Sequence, residues 1–130
     1  MKISNKRHAE TILDIAIKDL NVALSEALQH IIKVHAVDIE KHVALMCDKT
    51  LAHNEKVIHA GNRFSMFPKS GLVRQQTVMV RLIERLELIQ VRFKDNKDAK
   101  GLLKVVEVNL PHIKEGELKI VELIKSKGEV

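Results

Sequence analysis

The chain has 130 residues, 45% hydrophobic and 30% charged, with no Trp, no Tyr and three Phe. That size fits one domain spanning 1–130, and the apolar share excludes wholesale disorder. Scarce aromatic rings exclude a stacking platform for single-stranded nucleic acid and an immunoglobulin-like sandwich, and a lone Cys47 excludes an internal disulfide or a cysteine-rich zinc site.

The net charge is +5, and residues 71–100 hold much of the excess, with seven basic side chains against four acidic. Such a balance permits an acidic partner without requiring nucleic acid. No apolar run approaches the roughly 18 residues of a membrane span, and no apolar stretch follows a basic N-terminus. Neither a membrane span nor a secretory signal is expected, and the expected compartment is the cytoplasm.

Taken in chain order, Leu13, Ile17, Leu20, Leu24, Ala27, Ile31 and Val34 alternate steps of four and three, an apolar seam along one helix face. Ser4 or Asn5 suits its cap. The steps then meet Asp38 and Lys41, and a second seam begins one register over: Ala36, Ile39, Val43, Met46, Thr50, His53 and Val57. This predicts a break at 35–38, with Asp38 as the N-cap of a new helix. Gly61 and Asn62 make a helix end, and 61–71 reads as a loop. Leu72, Gln75, Met79, Leu82, Leu86, Ile89 and Phe93 form a third seam, beside a second strip of Val73, Val80 and Val91. The run Asp95–Asp98 ends that helix and caps the next. The segment from Leu102 to Leu110 fits a helix or a strand, since three valines crowd it. Pro111 reads as its stop, and a last short helix over Leu118–Ile124 ends at Gly128.

These elements predict an all-α fold: a four- or five-helix bundle with long first and third helices, near-parallel packing at about 20°, and a short β segment near 103–110 as the alternative. Two long seams and the valine strip are more apolar surface than one small bundle easily hides, so a homodimer or higher oligomer is expected.

The sharpest candidate for function is an arginine stripe. At about 100° per residue, Arg74, Arg81, Arg85 and Arg92 fall within roughly 40° of one another, on a line about 27 Å long. Guanidinium forks suit carboxylates and phosphates. The competing reading is a solvated face, or salt bridges to a neighbouring helix. A second candidate is the loop carrying Phe64, Met66 and Phe67 beside Arg63 and Lys69, which either docks a partner or plugs one end of the bundle.

Seven histidines invite a metal, yet there is no His-Glu-x-x-His, no Cys-x-x-Cys and no paired Glu-x-x-His. The acid–histidine pairs Glu26/His30, Asp38/His42 and Glu55/His59 have the spacing of intrahelical ion pairs. His30 and His53, each with a lysine three residues on, resemble the accepting histidine of phosphotransfer bundles over four residues. Val34 and Val57 stand where those bundles place glycine. Cys47 lies among apolar helix residues and reads as inert core.

With no phosphate-cradling glycine loop and no catalytic motif, the expectation is a non-catalytic adaptor, chaperone or regulator without cofactor or metal. It would bind an acidic protein, or itself, through the arginine face and the loop. The alternative is a helical protein contacting nucleic-acid phosphates. A metal- or phospho-carrying histidine bundle is the third class.

Overall fold

The computed structural model describes residues 5–127, with side chains from Arg7 onward. Every regular element among them is helical: α1 (Asn5–Lys18), α2 (Leu20–Ala23), α3 (Glu26–Arg63), α4 (Lys69–Arg92) and α5 (Lys100–Ser126), with a 3-10 turn at Lys97–Ala99 leading into α5. The protein is an all-α bundle. The expected cap at Ser4 and the expected end at Gly128 lie outside the described residues.

The first register change lies at residues 19–25, not at 35–38. Asp19 takes an extended backbone and its carboxylate accepts from the Asn21 amide, which starts the single turn of α2. Ser25 repeats the device, its Oγ accepting from the Leu28 amide at 3.3 Å to start α3. The first helix is therefore short, 14 residues, and α3 runs unbroken for 38. Asp38 is no cap; it sits inside α3, 4.0 Å from His35. Helix α3 ends two residues past Gly61, at Arg63, and the connecting loop shrinks to 64–68.

The segment 103–110 is helical, and Pro111 lies inside α5 without ending it. Leu102, Val106, Leu110 and Ile113 all point into the core at helical spacing. Burial of that face outweighs the β preference of the valines. Pro111 itself is exposed. It removes one helical donor, to the carbonyl of Glu107, on the side where water can replace it.

Helix α5 packs between α3 and α4, which touch each other little; α1 closes the gap on their far side, leaning mainly on α3. Helices α3 and α5 run parallel, since Asn54 meets Gly116 and Gly61 meets Leu123. Helix α4 runs against both, with Gln75 beside Asn54 and Asn96 beside Gln29. The larger apolar cluster joins α1 (Ala9, Ile12, Leu13, Ala16) to the facing halves of α3, α4 and α5. A smaller one, Leu72, Ile120 and Leu123 under Phe67, fills the end that α1 does not reach.

Between the two clusters lies a polar layer. Asn54 and Gln75 are 2% and 4% exposed. The Gln75 amide donates to Asn54 Oδ1 at 3.0 Å, and the Asn54 amide donates to the Gly116 carbonyl at 3.2 Å. A side chain at Gly116 would begin 2.8 Å from Asn54 Nδ2 and 2.9 Å from Met79 Cε, so glycine lets α5 approach that closely. At the opposite end a second chain of amides ties the turns together: Gln29 donates to the Ala23 carbonyl at 2.6 Å, Asn96 donates to Gln29 at 2.8 Å, and the Asp98 amide donates to Asn96 at 2.9 Å.

Candidate functional site

The third seam folds as its spacing predicts: Leu72, Gln75, Met79, Leu82, Leu86, Ile89 and Phe93 are all buried. That fixes the rotation of α4 and sets its arginines along one flank, about 100° round the helix from the buried seam. There the stripe divides in two. Arg85 donates through Nη2 to Asp14 of α1 and forms an ion pair with it, while its buried Nε finds no acceptor among the described residues. Arg92 donates through Nε to the Ile17 carbonyl near the end of α1, at 3.2 Å. These two hold α1 onto α4, one by charge and one by filling an unsatisfied helix-end carbonyl. Arg74 and Arg81 are exposed and have no hydrogen-bond or ion-pair partner among the described residues. They stand seven positions apart, about 10.5 Å along the axis.

Val78, 42% exposed, lies between the two free arginines. Beside Arg81 a shallow groove opens where α1, α3 and α4 meet, its apolar floor made by Ile17, Met46, Val78, Leu82 and Leu88, with Glu84 also on its lining. The sequence carried no signal for this groove, because its walls come from three segments far apart in the chain. Nor did it show which arginines would be spent on α1, since Asp14 is 71 residues from Arg85.

The loop also divides. Phe67 is half-buried and covers the smaller apolar cluster, so it is a plug. Phe64 and Met66 point outward, 56% and 89% exposed, and the Arg63 guanidinium lies 5.9 Å from the Phe64 ring centre. The loop backbone is tied down by Lys127, whose Nζ donates to the Phe64 carbonyl at 3.1 Å. Lys69 opens α4, about 7.5 Å along the axis before Arg74. The loop tip and Arg74 thus share one end of the molecule, while Arg92 belongs to the other.

The histidines do not converge on a cation: no group of three or more His, Cys, Asp or Glu among the described residues could hold a metal ion. His8 and His35 meet edge to face across α1 and α3, ring centres 5.8 Å apart. The Cys47 thiol is fully buried, and burial, with a smaller push from Asp48, raises it to about 11. It is a protonated core group at neutral pH. No described helix is long and apolar enough to cross a membrane. No protein-family model matches the chain, nor does any curated protein or solved structure.

Proposed function

We propose that this chain is a non-catalytic interaction protein that binds an acidic protein segment across the Arg74–Arg81 face of α4, with Phe64 and Met66 as a flanking apolar contact. The observation that carries this reading is Arg81, exposed and without a partner among the described residues, on the lining of an apolar groove, with Arg74 in the same condition about two turns before it. An amphipathic segment can lay apolar side chains on Val78 and Leu82 while its carboxylates meet the two guanidinium forks. A phosphate backbone gains nothing from such a floor. Two free arginines also supply too few phosphate contacts: at about 0.9 per contact the logarithmic salt slope is near 2, against nearly 4 for the whole stripe.

The test compares wild type with Arg74→Ala/Arg81→Ala, a pair that spares the α1 contacts of Arg85 and Arg92. An amphipathic peptide with glutamates seven residues apart is titrated by fluorescence anisotropy, beside a duplex DNA of mixed sequence. The expected outcome is peptide binding weakened about tenfold or more in the double variant, an unchanged melting temperature, and negligible DNA binding at physiological salt. Sequence-independent DNA binding that is lost in the same variant would replace this reading with the phosphate-binding one.

A further inference from the structure

The first seam of the sequence is buried on α1 at Leu13, but its continuation on α3 is not. The core face of α3 is made by Leu28, Ile32, Ile39, Val43 and Cys47. The neighbouring line, Ala27, Ile31, Val34, Asp38, Lys41 and Leu45, keeps heptad steps of 4, 3, 4, 3 and 4 on the side of α3 that faces away from the bundle. Ile31, Val34 and Leu45 are 40%, 63% and 44% exposed, and Val37 on the flank of the strip is 61% exposed. Apolar residues at a and d positions are the seam by which helices pair. Among the described residues nothing buries this line, and its Leu45 end also lines a groove with Glu10 of α1.

The two charged residues in the seam say what does. In a parallel pairing of two copies, Asp38 would face Asp38 and Lys41 would face Lys41. In an antiparallel pairing about a two-fold axis, each a position meets a d position of the other copy. Asp38 then meets Lys41 twice, and Val34 meets Leu45 twice. The strip is complementary to itself in charge only in that orientation. Lys41 is exposed with no partner among the described residues, and Asp38 has only the 4.0 Å approach of His35, so both are available. We infer that the protein forms an antiparallel homodimer through the Ala27–Leu45 strip of α3. This face is separate from the arginine face of α4, and the two readings stand or fall independently.

Sedimentation equilibrium is expected to give twice the 14.8 kDa chain mass. Lys41→Asp places like charges opposite each other and raises the dimer dissociation constant by about tenfold or more, while helicity and melting of the dissociated chain remain those of a folded bundle. The charge exchange Asp38→Lys with Lys41→Asp restores the dimer, which a merely structural role for either residue would not do. Orientation is read by oxidising a mixture of Val34→Cys and Leu45→Cys chains. The mixed disulfide forms and neither self-pair does, with buried Cys47 silent throughout. A monomer at all concentrations up to hundreds of micromolar, a dimer indifferent to Lys41→Asp, a charge exchange that fails to restore it, or self-paired disulfides would each overturn the proposal.

Discussion

Cys47 carries its proton at neutral pH because its surroundings offer the thiolate no solvation, and the negative charge of Asp48 adds to the cost. The folded thiol titrates near 11 against an ordinary 9.0, so the folded state binds the proton more tightly than the unfolded chain. Its contribution to stability is complete below about pH 9 and is lost as pH rises from 9 towards 11, where the unfolded thiol ionises first. Denaturant unfolding of wild type and Cys47→Ser across that range checks this. The stability difference between them is expected to shrink with rising pH, and a constant difference would mean that the thiol is not solvent-starved. The same residue-scale logic separates the four arginines. Spacing placed all four on one line, but Arg85 and Arg92 have acceptors on α1, and Arg74 and Arg81 have none among the described residues.

At the scale of the element, the unexpected feature is where the first helix breaks. No proline or glycine marks residues 19–25. The break is written in two short polar side chains, Asp19 and Ser25, each of which offers the backbone an acceptor that competes with continuing the helix. Ser25→Ala removes the acceptor for the Leu28 amide and is expected to cost about 0.5–2 kcal/mol. Asp or Asn at the same position is expected to restore most of it, measured by urea unfolding. A neutral Ser25→Ala would mean that the Gln29–Ala23 clasp, not the cap, sets the start of α3. Pro111 shows the opposite balance. A strong local stop signal is overridden, because Leu110 and Ile113 beside it are core residues and its own face is open to water.

At the scale of the whole molecule, the polar layer of Asn54, Gln75 and Gly116 joins the three long helices at one level. A buried amide that satisfies both a side chain and a backbone carbonyl penalises any sliding of α3, α4 and α5 past one another. Asn54→Ala strands the Gln75 amide and is expected to cost about 1–3 kcal/mol. Hydrogen exchange should show the loss concentrated in the smaller cluster around Leu72, Ile120 and Leu123, which has no α1 to brace it. A uniform change across all helices would argue against a register role.

By itself the sequence determined that the protein is helical, where α4 turns its apolar face, and that the run Asp95–Asp98 joins two helices, because each rests on local periodicity or capping. Gln75 stood in the third seam as its one polar member, a legible trace of the polar layer, whereas its partner Asn54 gave no such signal. What only the tertiary structure decided is which of two adjacent stripes on α3 faces inward. Leu28 and Ile32 sit one position from Ala27 and Ile31, and both lines carry helical spacing. Periodicity records that a stripe is apolar, not what lies opposite it. The placement of α1 and α5 against α3 chose the Leu28–Cys47 line for the core, and left the Ala27–Leu45 line outside it.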